Sequence, residues 1–175
     1  MALKLKKLIC AAAAVLCVGA FGANATLPDN AIGLRLSAGS LLGGELNYQK
    51  GLGKSNRLEL GVSGRFKSEV GFSWTYLGAV GIYQWHWDIP GVKGLNWYAG
   101  PGAGVGLVSY TIDILGTKTS DSWAYLNVGG QVGIEYDLNV SKVPLLLSLD
   151  IRPMFGLLNS EGFGWDLGLG VRYTF

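Results

Sequence analysis

The chain has 175 residues, with 14 basic and 12 acidic side chains, two cysteines and one histidine. Because charge of the two signs is nearly balanced, the composition predicts neither a nucleic-acid partner nor a strongly acidic partner. The single histidine and the position of both cysteines within the first 17 residues predict no cofactor and no thiolate or histidine-based metal site.

The first 25 residues predict a cleaved secretory signal peptide. Three lysines precede an apolar run over 8–21, and Ala23-Asn24-Ala25 has the small-any-small pattern of a cleavage site. Cleavage would leave 26–175 as one domain. That domain has no cysteine, and its formal charge is −1 because three of the 14 basic residues lie in the removed segment.

Two alternatives to the signal peptide stay open. A membrane anchor helix is the first, but the apolar run is shorter than the roughly 20 residues that cross a bilayer. A lipoprotein attached through Cys17 is the second, although Leu16 stands before it where a small residue is expected.

After residue 25, apolar and polar residues alternate with a period of two. This pattern predicts strands with one apolar and one polar face, and the absence of an 18-residue apolar run argues against a membrane-spanning helix. Eight strands are expected, at Ala31–Gly39, Gly44–Leu52, Asn56–Phe66, Phe72–Ile89, Leu95–Tyr110, Trp123–Leu138, Pro144–Phe155 and Trp165–Phe175. The sequence therefore predicts an all-β fold, an eight-stranded antiparallel up-and-down transmembrane β-barrel.

The last predicted strand alternates without an error. Trp165, Leu167, Leu169, Val171, Tyr173 and Phe175 form its apolar face, and the residues between them are polar or small. The strand over 72–89 is ambiguous in its facing. We favour an apolar face that contains Leu77 and Trp85, with Tyr76 and Ile82 on the alternative face.

The connections between predicted strands fall into two kinds. Those at 53–56, 90–94 and 139–142 are tight and rich in turn-forming residues. The alternate connections are more variable, which is typical of outer loops opposite short periplasmic turns, with both chain ends in the periplasm. Two membrane crossings use only about 20–22 residues of the hairpin over 95–138. Its tip, Asp113–Ser122, is therefore expected to protrude, and the loop 112–121 is a candidate for binding a surface ligand.

Charged residues distinguish a membrane barrel from a soluble one. Arginines and many acids share the polar faces, whereas lysines occur in turns or at strand ends. A soluble barrel, with its charges outside, is the alternative. In a membrane barrel the following residues would form a structural network of charges in the lumen: Arg35, Glu45, Arg57, Glu59, Arg65, Glu135, Asp137, Asp150, Arg152, Asp166 and Arg172.

The six tryptophans also favour the membrane barrel. Trp85, Trp87 and Trp97 flank the turn at Pro90, and Trp74, Trp123 and Trp165 lie toward the opposite ends of their strands. Membrane proteins enrich tryptophan at both interfaces with water, so the two groups predict two aromatic belts around the barrel.

With its signal peptide, eight alternating strands and terminal Val171-Arg-Tyr-Thr-Phe175, the chain resembles the small eight-stranded outer-membrane proteins of Gram-negative bacteria. That group includes outer-membrane protein X, the transmembrane domain of outer-membrane protein A and the Opa-like adhesins. The resemblance covers residues 26–175. It implies an outer-membrane location in contact with lipid and lipopolysaccharide, and a terminal aromatic residue that the barrel-assembly machinery reads during insertion.

Eight strands leave an interior that side chains can nearly fill, and an unpaired charge there would be costly. We therefore expect a closed, ion-paired interior and a structural or surface-interaction role through the outer loops. A narrow channel or transporter for small or apolar solutes is the alternative. The glycines of the fifth and eighth strands either make room for large side chains such as Arg65 or Tyr98 or leave a small polar cavity.

No catalytic residue is expected, so the chain is predicted not to be an enzyme. Outer-membrane lipases and acyltransferases of this size resemble one another in using a histidine with a serine and an acid near the outer leaflet. His86 has Asp88 nearby but no serine, and it lies near a periplasmic turn, so we expect it to be an interfacial residue. Asp113, Asp121 and Glu161 are too scattered for a calcium loop.

Overall fold

The computed structural model describes residues 24–39, 43–69, 72–114, 117–159 and 162–175, without the side chains of 65–69, 113–114 and 117–118. Eight strands form one closed antiparallel barrel, in which each strand pairs with its sequence neighbours and the first pairs with the last. The strands are β1 Asn30–Gly39, β2 Gly43–Gly51, β3 Asn56–Glu69, β4 Phe72–Asp88, β5 Leu95–Ile114, β6 Thr117–Asp137, β7 Leu145–Leu158 and β8 Phe163–Thr174. The predicted all-β, up-and-down barrel is confirmed.

Closure of the barrel depends on the register between β1 and β8. Ala31 lies opposite Thr174, and pairing continues without a shift to Gly39 opposite Asp166. Because side chains alternate along both strands, this register places the polar column of β8 beside the polar column of β1. The alternation that the sequence shows in β8 therefore becomes one continuous polar lining across the closure.

Apolar residues face outward and charged residues face inward. Leu36 and Leu169 are 67% and 60% exposed, whereas Glu59 and Arg172 are completely buried. A water-soluble barrel would show the reverse distribution, so the soluble alternative is wrong. Within β4, the favoured outward face that contains Leu77 is correct, because Ile82 on the alternative face is completely buried.

The two ends of the barrel differ. We call one end the turn end: it carries the short connections 52–55, 89–94 and 138–144 and the end of β8. The opposite loop end carries the connections between β1 and β2, β3 and β4, β5 and β6, and β7 and β8. A single turn of 3-10 helix, η1 Leu138–Ser141, lies at the turn end. Among the described residues, no helix has the length and apolarity needed to cross a membrane.

Strands β5 and β6 are longer than the sequence predicted. Their pairing continues as far as Ile114 opposite Thr117, so most of the predicted loop 112–121 is strand. The prediction was wrong because residues 117–122 are polar on both faces and carry no alternation. Above a membrane neither face needs to be apolar, and threonine at 117 and 119 favours extended backbone.

The predicted signal peptide lies outside the described residues except at its last two positions. Those two positions contact the turn end. The backbone amide of Asn24 donates to the carbonyl oxygen of His86 at 3.2 Å, and the Ser55 hydroxyl donates to the carbonyl oxygen of Ala25 at 2.8 Å. The chain entering β1 therefore lies against the β2–β3 turn and the end of β4.

Candidate functional site

Inward-facing side chains divide the barrel interior into two zones. One zone is an ion-pair network, toward the turn end, and the other is a cavity beneath the loop end. The ion-pair network consists of Arg35, Glu45, Arg57, Glu59, Glu135, Asp150, Arg152, Asp166 and Arg172. These residues come from β1, β2, β3, β6, β7 and β8, so the network ties non-adjacent strands together across the lumen.

Glu59 is the centre of the ion-pair network. Its Oε1 lies 2.9 Å from Arg152 Nη2, and its Oε2 lies 2.9 Å from Arg172 Nη2. Gln49 Nε2 also donates to Oε2, at 2.6 Å. Burying a carboxylate is costly unless charged donors surround it, and Glu59 receives donors from four other strands, because Gln84 Nε2 also donates to Oε2, at 3.4 Å. This single residue connects β3 with β2, β4, β7 and β8.

A second part of the network lies closer to the turn end. Arg57 Nη1 lies 2.9 Å from Glu135 Oε2 and 2.7 Å from Gln49 Oε1, so it links β3 to β6 directly across the lumen. Gln84 Nε2 donates to Gln131 Oε1 at 2.9 Å. Neutral amides thus fill the spaces between the charged pairs, and few gaps remain at this level.

The third part of the network faces the loop end. Arg35 Nη2 lies 2.6 Å from Asp150 Oδ1 and also 2.6 Å from Asp166 Oδ1. Arg152 Nη1 lies 2.8 Å from Glu45 Oε2. Four of these five side chains are almost completely buried, whereas the Asp166 side chain is 23% exposed. The network therefore presents its last carboxylate to the space above it.

Glycines in β8 make room for the arginines. A Cβ at Gly168 would overlap the guanidinium of Arg35, and a Cβ at Gly170 would overlap Ser148 Oγ and crowd the guanidinium of Arg172. This arrangement agrees with the first of the two roles that the sequence left open for these glycines. Each arginine lies across the barrel wall at a position where β8 has no side chain.

Two of the residues predicted for the lumen network are placed differently or not described. Asp137 lies at the end of β6, where its carboxylate accepts from the backbone amide of Asn139 at 2.8 Å and caps η1. The assignment of Asp137 to the network was therefore wrong. The chain turns at this position, so the Asp137 carboxylate accepts hydrogen bonds from Asn139 in the turn and not from an arginine in the lumen. The side chain of Arg65 lies outside the described residues.

His86 also departs from expectation. Its side chain is completely buried in the lumen, where Nδ1 lies 2.9 Å from Asn96 Oδ1 and the ring stacks on Tyr98 at 5.0 Å. The period of two explains this placement, because His86 stands between the outward-facing Trp85 and Trp87. Among the described residues, no three histidine, cysteine or acidic side chains are grouped so that they could hold a metal ion.

The predicted aromatic belts are correct at the turn end and only in part at the loop end, where Trp165 is 46% exposed on the outward face of β8. Trp87 and Trp97 face outward near the turn end and stack at 4.1 Å. At the loop end, Trp74 and Trp123 lie on the inward columns of β4 and β6 and line the cavity. The prediction for Trp74 and Trp123 was wrong because it considered only how far along the strand each residue lies. It did not consider which face of the strand carries the side chain.

The outer cavity has a volume of about 450 Å³. Its wall on β4 and β6 carries Trp74, Tyr76, Trp123 and Tyr125, and its floor is the loop-end part of the ion-pair network. Tyr125 lies flat against the wall because the neighbouring strands have glycine beneath its ring, Gly78 in β4 and Gly106 in β5. A Cβ at either position would overlap the Tyr125 hydroxyl. The large ring therefore leaves the centre of the barrel open.

Above the barrel rim, strands β3 to β6 continue as a sheet. Pairing of β2 with β3 ends at Gly44 opposite Gly64, and pairing of β6 with β7 ends at Leu126 opposite Leu158. In the described part of the chain, residues 117–123 of β6 thus have a strand partner on the β5 side only. We call this extension, residues 65–69, 72–76, 108–114 and 117–125, the protruding sheet.

Sequence comparisons identify no relatives. No protein-family model matches the chain, and no curated protein matches it. Comparison with solved structures does find similar folds. The attachment invasion locus protein Ail of Yersinia pestis, in complex with the heparin analogue sucrose octasulfate, has a TM-score of 0.51 at 15% identity. That match covers 83% of this chain and 96% of Ail.

Two further solved structures are similar. Neisserial surface protein A has a TM-score of 0.49 at 17% identity, covering 83% of this chain and 94% of its own. The N-terminal β-barrel domain of Pseudomonas aeruginosa OprF has a TM-score of 0.41 at 19% identity, covering 85% of this chain and all of that domain. With its closed eight-stranded sheet, outward apolar face and charged interior, the chain has the fold of the small outer-membrane β-barrels.

Proposed function

We propose that this chain is an integral protein of the bacterial outer membrane, made with a cleaved signal peptide over 1–25, that binds partners at the cell surface through the protruding sheet. The outward column of apolar side chains supports the location, because lipid is the environment in which such a surface is stable. Outer-membrane lipid and lipopolysaccharide would surround this surface, and the barrel-assembly machinery would insert the chain.

The free edge of β6 is the observation that carries this proposal. Residues 119–122 are exposed, and their strand has no partner on the β7 side among the described residues. An exposed edge offers unpaired backbone donors and acceptors to an extended segment of another protein. The polar side chains of this edge keep it soluble without covering its backbone, which suits reversible binding.

The charge of the loop end argues for a protein partner over a polyanion. Its four acids, at 69, 113, 121 and 161, outnumber its three basic residues, at 65, 67 and 118. A surface that binds a sulfated sugar needs an excess of positive charge, because such binding depends on cation-anion contacts. The heparin analogue bound to Ail is therefore not the ligand that we propose here.

A register-matched deletion tests the proposed surface role. Tyr110 lies opposite Asp121, so residues 110–121 can be replaced by Asn-Gly to leave Ser109 and Ser122 joined by a two-residue hairpin turn. Vesicles that carry the intact protein should be retained on immobilised collagen, laminin or fibronectin, and the deletion should abolish retention. In a matched control, Thr119→Ala with Ser120→Ala removes side chains but keeps the backbone edge, so retention should survive. Equal retention by the deletion variant would contradict the proposal.

The proposal also assigns the ion-pair network a structural role as a closure of the lumen, without catalysis at His86. Glu59, Arg152 and Arg172 meet near the barrel axis and are almost completely buried. Buried side chains that bond one another across the lumen leave little space for a hydrated ion. We therefore expect no steady ionic current through the intact protein.

A narrow channel is the second candidate function, and the outer cavity is the observation that favours it. The cavity descends from the loop end to Arg35 and Glu45. Recording from planar bilayers that contain the refolded protein separates the two candidates. A silent bilayer supports closure by the network. Steady open currents that disappear when Glu45→Trp fills the floor would support the channel instead.

A further inference from the structure

The outer cavity has features that closure of the barrel does not require. Its volume of about 450 Å³ lies within the usual range of ligand pockets, about 300–1,000 Å³. Its wall on β4 and β6 is aromatic and its floor is charged. The cavity shares Trp123 with the free edge of β6, but the proposed surface role uses the backbone of that edge, whereas an inference drawn from the cavity uses side chains that face the lumen. The two can therefore fail independently.

Aromatic rings form a continuous row along the wall. Trp74 stacks on Tyr76 at 6.1 Å, and Tyr76 stacks on Tyr125 at 5.3 Å. The Tyr125 hydroxyl donates to the Tyr76 hydroxyl, which holds the two rings nearly parallel. Trp74 is only half-buried, although a tryptophan at this height would ordinarily be placed at the lipid interface. The inward row therefore gives the cavity an aromatic wall.

The floor combines donors and acceptors with no excess of either charge. Arg35 and Arg152 are balanced by Asp166 and Glu45. The Asp166 side chain is 23% exposed, and its Oδ1 is ion-paired with Arg35 Nη2 at 2.6 Å. Arg152 lies beside it and is 4% exposed. The floor thus offers charged donors and acceptors, and the Asp166 carboxylate is the most exposed of them.

Asn127 provides a third polar group on the cavity wall. It lines the cavity from β6, and its side chain is half-buried. An amide both donates and accepts hydrogen bonds. A ligand that does the same would pair with Asn127 together with the floor.

These features select among ligand classes. A cation would need an excess of carboxylates and an anion an excess of arginines, but the four charges at the floor cancel. A wholly apolar ligand would bury the polar atoms of the floor without partners, which is costly. A neutral sugar has hydroxyl groups that donate and accept. Its C–H face also suits the negative face of an aromatic ring.

We propose that the outer cavity binds a neutral saccharide unit, with its C–H face on the ring row and its hydroxyl groups on Asn127, Arg152 and Asp166. The row is on one side of the cavity and the charged floor lies below it, so one ligand can contact both. The ring row and Asn127 are not part of the ion-pair network, whereas Arg152 and Asp166 belong to it.

Titration of the refolded protein with sugars tests this proposal. The protein is placed in a zwitterionic detergent without a sugar headgroup and titrated with glucose, galactose, mannose, N-acetylglucosamine, lactose and cellobiose. Saturation-transfer NMR reports contact with the sugar, and protein fluorescence gives the affinity. We expect saturable binding of at least one sugar with a Kd of about 1 mM, corresponding to about −4 kcal/mol.

Variants decide whether such binding occurs in the cavity. Trp74→Leu should weaken binding about tenfold or abolish it, since one stacked ring is lost. Asn127→Leu leaves the ring row intact and should also weaken binding. In the matched control, Trp97→Leu removes an outward ring near the turn end and should leave binding unchanged. Circular dichroism verifies that each variant retains the barrel, and Asn127→Leu remains informative if Trp74→Leu does not fold.

Three outcomes would overturn the proposal. The first is that no sugar in the panel binds saturably at the highest concentration tested. The second is that a sugar binds but neither cavity variant weakens it. The third is that sodium sulfate or benzyltrimethylammonium, used as charged probes, binds in the cavity while every neutral sugar fails.

Discussion

The two halves of the barrel interior are built from the same alternating strands but have opposite character. Toward the turn end, long side chains such as Glu59 and Arg172 extend into the lumen and bond one another. Toward the loop end, Tyr125 lies flat over glycines of the neighbouring strands and leaves a cavity. Alternation decides which residues face inward, whereas the size of the neighbouring inward residue decides whether a large side chain crosses the lumen.

Accessibility of single cysteines should show this contrast most sharply. A protein refolded from residues 26–175 has no cysteine, so Asn127→Cys in the cavity and Gln84→Cys in the network zone give single labelling sites in it. Gln84 is completely buried, and Asn127 lines the cavity. A water-soluble thiol reagent should modify Asn127→Cys within minutes and leave Gln84→Cys unmodified, as mass spectrometry can measure. Equal labelling of both would show that the interior is not divided.

Glu59→Ala should give the largest loss of stability. It leaves the guanidinium groups of Arg152 and Arg172 buried without their carboxylate, which typically costs about 3–5 kcal/mol. Guanidinium-induced unfolding in detergent micelles measures this free energy. Asp137→Ala is the matched control because that carboxylate caps a turn at the rim, and it should cost about 1 kcal/mol. Similar losses for both variants would contradict a central role for Glu59.

Gly168→Ala should cost less, about 1–3 kcal/mol. Its new Cβ would overlap the Arg35 guanidinium and displace it from Asp150. The matched control is Gly44→Ala, whose Cβ would meet only Leu36, at 4.0 Å, and which should be close to neutral. The same unfolding experiment compares the two, and equal free energies of unfolding would mean that Arg35 does not need the space above Gly168.

The outward aromatic pair at the turn end should have the smallest effect. Trp87 and Trp97 stack at 4.1 Å and 15°, a geometry whose coupling is about 0.5–1.5 kcal/mol. A double-mutant cycle with Trp87→Leu and Trp97→Leu isolates this coupling from the loss of apolar area. A coupling near zero would indicate that the two rings act only through separate contacts with lipid.

Particular residues show where prediction from sequence succeeded and where it failed. The inward facing of Arg35, Arg57, Glu59 and Arg172 followed from the alternation of side chains along each strand. If the assignment of faces were shifted by one residue, every one of these charges would face lipid. The same alternation would have placed Trp74, His86 and Trp123 in the lumen. Their predicted positions rested instead on how close each lies to the end of its strand. Asp137 failed for a different reason, since its partner Asn139 belongs to a turn and not to the alternating pattern.

The partners within the network could not be predicted. Glu59 meets Arg172 across a sequence separation of 113 residues, and this depends on the register of β3 and β8 around the closed barrel. Likewise, the glycines at 78, 104 and 106 were compatible with filled space or with a cavity. The choice between them depends on how Tyr125 and Asn127 of β6 lie over the neighbouring strands.

The sequence by itself determined the number of strands, the turns and which residues share a face, since each depends on local alternation and on residues close together in the chain. Only the tertiary structure decided which charges meet, that the loop-end half stays open, and that β6 has a free edge. These features depend on contacts between strands far apart in the chain, and no local pattern encodes them.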